Sequence, residues 1–476
     1  MWGTRAVPGA ATLRDPAVPP APAGAKASPF PIAISASGRF LTARSGAPFP
    51  ILGRTAWFVI SAPEAEYRAF IADSVARGYD AIEMHVLNHD PRGHHPPFNG
   101  AGVLPFSKRL DGAAWSGALT YQNISVEAPD FTAPNEDYWT FVDAFLDHCE
   151  SQGILVLFFP AYVGYQGGEQ GWMREMAANG KARVRAYGAF VATRYRNRKN
   201  LVWMMGGDMG TAPDFFDATQ TAVEQALLEG IDGVTGRQSL QMSAEWTSES
   251  IATDQTRFGT SMTLNGAYSW TGAVSTQVRR AYAHSPVRPA FLLEEPYDEE
   301  GRDGNNVNPN STQPVRRYQW WGWLGGIAGY VAGNGYVWAF KPGDWQRHLD
   351  TLGSRDMARL NAFVRSIAWH NLVPSGLGGM KTLVVAGASV NAADYVAAAA
   401  APDGTLLIAY VPPSHRGSIS IDMTAMSTRA RARWFNPATA AYVSIGTFPN
   451  TRAQGFEPPG DNGSGFADWV LVLDPG

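Results

Sequence analysis

Short apolar runs and longer amphipathic stretches take turns along residues 49 to 367, which predicts a parallel sheet whose strands are joined by crossover helices. The first strand is expected at Phe49–Trp57. Pro63–Arg77 follows with Tyr67, Phe70, Ile71 and Val75 on one helical face, closed by Gly78 as a C-cap. A second strand, Tyr79–Asn88, leads into a long polar segment, His89–Asn135, at a strand's carboxyl end, where such loops wall a pocket. The helix Asp137–Ser151, the strand Gly153–Val163, the helix Lys181–Arg196, the strand Asn200–Asp208 and the helix Asp214–Glu229 continue the alternation. The fifth to eighth strands are expected at Ser239–Trp246, Ser261–Trp270, Arg288–Glu295 and Gly329–Trp338, with helices from Thr312 to about Gly325 and at Arg355–Ile367. Eight alternations of this kind predict an α/β fold, a (β/α)8 TIM barrel.

Beyond residue 376 the pattern changes to short β-rich runs broken by Gly and Pro, among them Leu406–Val411, Ala430–Phe435 and Trp469–Leu473, with no helical period. An all-β sandwich over 377–476 is the expected second unit. The barrel unit is expected at 32–376, opening with a small hairpin around Gly38 and Gly46. Residues 1–31, rich in Pro and Ala, lack the apolar core of a signal peptide and read as a disordered leader.

Composition narrows the function more than the fold. The net charge is -4, with 38 basic against 42 acidic residues, so no basic stripe favours nucleic acid and no polybasic patch favours a membrane surface. No apolar run is long enough for a transmembrane helix. The single cysteine, Cys149, excludes an intrachain disulfide and a cysteine-based zinc site. No metal or cofactor is expected, and the pattern carries no signal for an oligomeric state. Trp57, Trp246, Trp270 and Trp338 fall near the ends of apolar runs, a placement that suits stacking against the apolar face of a sugar ring.

Two apolar runs end abruptly in acids. Asn200-Leu-Val-Trp-Met-Met-Gly-Gly-Asp208 would close the fourth strand, and Arg288-Pro-Ala-Phe-Leu-Leu-Glu-Glu295 the seventh. Carboxylates at those two strand ends would face each other across the barrel mouth, the pair that a retaining glycosidase needs about 5–5.5 Å apart. Adjacent residues of a strand point to opposite faces, so only one of Glu294 and Glu295 can point inward. Glu245, at the end of the fifth strand, competes for either role. Candidate sugar-binding residues at the other strand ends are Trp57, His85, Asn88, Tyr162, Trp246, Asn265, Tyr268, Tyr297, Asn334, Tyr336 and Trp338, with Glu245 a further polar candidate. The spacing of His85, Asn88 and His89 matches no strong metal signature.

The segments Trp203-Met-Met-Gly-Gly-Asp208-Met, Pro289-Ala-Phe-Leu-Leu-Glu-Glu295-Pro-Tyr297 and Tyr330–Trp338 resemble those of the apiosidase-like bacterial glycoside hydrolases, of the glycoside hydrolase family 140 type. The tail, with Trp434-Phe-Asn-Pro-Ala-Thr-Ala, Phe456-Glu-Pro-Pro-Gly and Asp468-Trp469-Val-Leu-Val-Leu, resembles the β-sandwich attached to them, which carries a collagen-binding label. The resemblance covers roughly residues 32 to 474. It implies Asp208 as acid/base and Glu295 as nucleophile in a retaining mechanism on the barrel. The expected activity is that of a retaining exo-glycosidase that removes a terminal sugar, a furanoside among the candidates, from a plant or microbial glycan, in the periplasm or outside the cell. The chain departs from the resemblance before Tyr297, where one residue is missing, and at Ala244-Glu245-Trp246, where relatives tend to carry His-Pro. The second departure argues against transferring apiose as the substrate. The alternative from another class is a non-catalytic carbohydrate-binding or scaffold protein on the same fold. For the sandwich, packing against the barrel is the expected role.

Overall fold

A computed structural model describes residues 27–89, 96–115, 123–165, 170–209, 216–269, 272–294, 296–300, 314–386, 389–390 and 392–476. Eight parallel strands form the barrel sheet: Ile51–Thr55, Ala81–His85, Leu155–Phe159, Leu201–Gly206, Met242–Glu245, Asn265–Tyr268, Ala290–Leu293 and Ile327–Ala332. Every residue in them is buried, as expected for strands covered on one face by helices and on the other by the barrel interior. The eighth strand pairs with the first, Tyr330 opposite Leu52 and Ala332 opposite Arg54. The fifth and sixth strands are not ladder partners; a short antiparallel strand, Ser250–Ile251, pairs with the sixth instead. That seam is held by isolated bonds, among them Thr263 N and Leu264 N to Met242 O at 2.9 Å each, Met242 N to the Thr263 hydroxyl at 2.8 Å and Gly266 N to the Ser243 hydroxyl at 3.0 Å.

The helices Glu64–Ala76 and Glu136–Ser151 lie where the hydrophobic period places them. The helical run predicted from Lys181 is the second part of Met173–Tyr195, which Gly180 breaks with φ 70° and ψ 171°. Val274–Ala283 forms a helix between the sixth and seventh strands that the pattern did not single out, and buries Val274, Val278, Ala281 and Tyr282. The sixth strand starts at Asn265, four residues after its expected beginning, and the eighth ends at Ala332, short of Trp338. The expected N-terminal hairpin is a three-stranded sheet, Ala33–Ile34, Leu41–Thr42 and Pro48–Phe49. No helix among the described residues is long and apolar enough to cross a membrane.

The C-terminal unit is two antiparallel sheets. The larger runs in the order Val373–Pro374, Ala397–Ala400, Leu407–Val411, Trp469–Pro475, Ala430–Phe435, Tyr442–Phe448; the smaller runs Val384–Ala386, Ile419–Asp422, Ala453–Phe456. One apolar cluster, including Leu407, Ile421, Trp434 and Leu471, fills the space between them. The larger sheet's other face belongs to a second cluster shared with the barrel's outer helices, in which Tyr410, Phe435 and Val472 meet Trp320 and Phe363. Trp320 stacks on Tyr410 at 5.7 Å, the Trp321 indole donates to the Tyr395 carbonyl at 3.0 Å, and Arg316 pairs with Asp468 at 2.7 Å. The helix carrying Trp320, Trp321 and Arg316, Pro314–Gly326, lies directly on the seventh strand, where a Cβ on Gly322 would come within 2.5 Å of Leu292. The sandwich thus packs against the outer face of the helix that covers the strand ending at Leu293.

Candidate active site

The fourth strand leaves the sheet through Gly206 and Gly207, at φ 82° and 119°, and Asp208 follows at φ 46°. A Cβ on Gly206 would strike the Glu245 carbonyl at 2.2 Å, and one on Gly207 the Tyr162 ring at 2.1 Å, so both closeness and backbone angle require glycine. The Gly206 N–H donates to Glu224 at 2.9 Å, and the Gly207 N–H to the Glu245 carbonyl at 2.6 Å. Glu224 comes from the helix Ala218–Thr235; burial lifts its carboxyl to about 8, which leaves it an uncharged acid at neutral pH. This turn carries Asp208, half-buried, to the mouth, where the Tyr268 hydroxyl donates to its Oδ1 at 3.3 Å.

Across the barrel, Glu294 is the residue immediately after the seventh strand, buried and at φ 51°. A non-glycine residue in the left-handed region costs of order 1 kcal/mol or more, and such residues gather at functional sites; here the two acids at the ends of strands four and seven both show it. Glu294 Oε1 accepts from the Trp57 indole N–H at 2.5 Å and from the Tyr297 hydroxyl. Trp57 also donates to Tyr297 at 2.9 Å. Burial pushes the Glu294 carboxyl up to about 7, against the opposing pull of hydrogen bonds from Tyr297, Trp57 and Tyr268 and with the charge of Glu300 adding to the rise. Tyr268 therefore touches both acids. Glu295, the expected nucleophile, lies outside the described residues, as do Trp270 and the His94-His95 pair.

Around this pair the structure gathers part of the predicted set. His85 stacks on both Trp57 and Tyr162 in a triangle of rings, with centroids 5.9 and 5.2 Å away, and its Nδ1 bonds the Leu87 carbonyl at 2.6 Å. Trp57 and Tyr162 meet at 5.0 Å. Trp338 packs at a tilt on Phe58, with ring centroids 5.8 Å apart. Asn88 is buried and bonds the Phe98 carbonyl, holding the long second loop.

Other predicted binders stand elsewhere. Trp246 points away from the interior, packed on Phe216 and Phe258 with its indole bonded to the Ala252 carbonyl, because it follows an inward residue in a strand of period two. Asn265 opens its strand instead of closing it, so it sits at the barrel's opposite end, bonded to Ala281 O and Thr253. Asn334 organises a loop, donating to Asp298 and Glu299 and accepting from the N–H groups of Tyr336 and Val337. Tyr336 stacks flat on His348 at 3.6 Å. Glu245 is buried at the end of the fifth strand, and with it stands Glu83 from the second strand, which the sequence reading did not single out. The signal for Glu83 was present: an acid sharing the His85 face inside the otherwise apolar run Ala81–Met84. Among the described residues no group of three or more His, Cys, Asp or Glu is arranged to hold a metal ion.

Residues 35–371 match the family model described as the apiosidase-like catalytic domain, and residues 381–474 match one described as "Putative collagen-binding domain of a collagenase". Among solved structures, one titled glycoside hydrolase is 19% identical, with a TM-score of 0.71 over 93% of this chain and 96% of that one. A glycoside hydrolase family 5 structure from Bacteroides vulgatus is also 19% identical, with a TM-score of 0.70 and 93% of each chain covered. A GH27 β-L-arabinopyranosidase from Geobacillus stearothermophilus, 11% identical, aligns with a TM-score of 0.52 over 90% of this chain and 97% of its own. No curated protein matches the chain.

Proposed function

We propose, for a chain that belongs to the apiosidase-like glycoside hydrolases, a retaining exo-glycosidase in which Asp208 is the acid/base and Glu294, in place of the expected Glu295, is the nucleophile. The observation that carries this reading is Tyr268, whose hydroxyl bonds Asp208 and also bears on Glu294. Two carboxyls one hydroxyl apart fit the close pair of retention, about 5–5.5 Å, better than the wider pair that leaves room for a water. The donors on each acid support the division of roles. Glu294 receives an indole N–H and a phenol O–H, which favour the ionised form that attacks; Asp208 is the more open of the two and stands where a leaving group departs. Trp57, His85 and Tyr162 form a closed aromatic floor beneath them, which suits the end of a glycan chain more than its middle. A glycan substrate of this kind goes with action in the periplasm or outside the cell.

A panel of aryl glycosides, furanosides included, supplies the assay. Asp208→Ala and Glu294→Ala should each lower kcat by about 10^4-fold, while Glu295→Ala should lower it far less. Proton NMR of the first-formed sugar should show the anomer of the substrate. Inversion, or full turnover by Glu294→Ala, would reject the assignment. A chain that turns over no glycoside but binds oligosaccharide would favour the scaffold alternative.

A further inference from the structure

Beneath Glu294 the barrel holds two acids that the mechanism above does not use. Glu83 lies at the centre of the second strand and Glu245 ends the fifth; both side chains are fully buried. None of their four carboxyl oxygens makes a well-formed hydrogen bond within the described structure. Glu294, also buried, takes donors from Trp57 and Tyr297. Removing a charged carboxylate from water without a partner costs several kcal/mol or more, so a buried acid lacking donors keeps its proton, and one that has them gives it up first.

We propose that Glu83 and Glu245 are positioning residues that stand as a protonated acid pair under Glu294, so that the one negative charge the barrel floor tolerates falls on the nucleophile. The proposal rests on the reading of Glu294 as that nucleophile. Glu83 and Glu245 approach closely enough to interact directly, and the Asp208 backbone N–H is turned toward Glu245. The titratable groups around the three acids come from several elements: His85 on the second strand, Asp208 after the fourth, Tyr268 on the sixth, and Tyr297 and Glu300 beyond the seventh. The main influences on the three acids include no lysine or arginine to neutralise a second anion. Burial first and the charge of Glu294 second hold Glu83 well above the usual carboxylate range; Glu245 is lifted by burial, then by Glu294, Glu83 and Asp208. Glu294 itself rises only to about 7. The pair is thus a consequence of where donors were placed, and it spares the site a carboxylate–carboxylate repulsion at the moment the nucleophile must be ionised.

Infrared difference spectra of the full-length protein at neutral pH test this without any substrate. Wild type minus Glu83→Gln, and wild type minus Glu245→Gln, should each show the carbonyl-stretch band of a protonated carboxylic acid. Subtraction removes the contribution of Glu224, which stays protonated in both members of each pair. Loss of a carboxylate band instead, in either variant, would overturn the proposal; the two variants report on the same pair, so one that fails to fold leaves the other to decide. The acid limb of kcat/KM against pH gives the second readout, on an aryl glycoside that wild type turns over. Replacing a neutral acid by a neutral amide should leave that limb in place, whereas a downward shift of about one pH unit in Glu83→Gln would mean that Glu83 carried a charge. An active Glu294→Ala variant would remove the nucleophile reading while the infrared result stood; an inactive one beside an ionised Glu83 would remove the pair alone.

Discussion

At the scale of single residues, the ionisation of Glu294 is set by a balance between burial and two donors, and that balance can be shifted one donor at a time. Trp57→Phe keeps most of the aromatic packing against Tyr162 and Phe159 but removes the indole N–H from Glu294. A hydrogen bond to the charged form lowers a carboxyl's pKa, so its loss should raise Glu294 above about 7. The proposed nucleophile would then ionise later as pH rises, and the acid limb of kcat/KM should move upward by roughly one unit. An unmoved limb in Trp57→Phe would show that the indole does not govern this titration. How much of this site could be read beforehand follows from what each residue's role depends on. Asp208 was legible because Gly-Gly before an acid at a strand end is a local pattern. The proposed preference for Glu294 over Glu295 was not, because it hangs on one residue of strand register and on a left-handed backbone angle at Glu294. Trp246 and Asn265 were misplaced for the same reason, an error of parity in one strand and of origin in another.

The element that fixes Asp208, the proposed acid/base, is the turn after the fourth strand, and its support comes from the helix Ala218–Thr235 through Glu224. Glu224→Ala would leave the Gly206 N–H buried without an acceptor, an expected loss of about 1–3 kcal/mol in urea unfolding. Glu224→Gln keeps an acceptor and abolishes the titration. The sign of its pH effect follows from its carboxyl standing at about 8 in the folded chain against about 4.3 unfolded. Its contribution to stability is complete below the unfolded value and is lost as pH rises toward 8. The wild-type Tm should therefore fall between pH 5 and 8 by more than that of Glu224→Gln; parallel curves would contradict a neutral Glu224. Strands and helices of this barrel were visible in the hydrophobic period wherever they are buried on a consistent face. Val274–Ala283 is the exception, overlooked although its buried Val274, Val278, Ala281 and Tyr282 follow the i, i+4, i+7, i+8 spacing of one helix face. Tyr442–Phe448 and Ala453–Phe456 escaped because both are largely exposed and show no clean alternation.

At the scale of the molecule, the barrel and sandwich meet through a buried ion pair as well as an apolar cluster. Arg316 and Asp468 have side-chain exposures of 4% and 0%, and the Tyr410 hydroxyl donates to the same aspartate at 3.0 Å. Asp468→Ala would leave the buried Arg316 guanidinium with Asp356 as its remaining carboxylate and the Ser464 hydroxyl, with an expected cost of about 3–5 kcal/mol and a single unfolding transition shared by both units. Two separate transitions would mean that the units fold independently. The expected packing role of the tail matches these contacts, and near the change of period at residue 376 Val373–Pro374 pairs with Ala399 and Ala400 of the larger sheet.

That shared cluster has an evolutionary meaning. A module that folds alone can be copied, shuffled and fused to new neighbours without harm to the enzyme it leaves. Here Trp320 and Phe363 on the barrel helices find their covering partners in Tyr410 and Phe435 of the sandwich. A recombination event that exchanged the tail would uncover the back of the helix braced against the seventh strand. The two halves of this chain are therefore bound to be inherited together, and substitutions on either side of their boundary are expected to be matched by changes on the other.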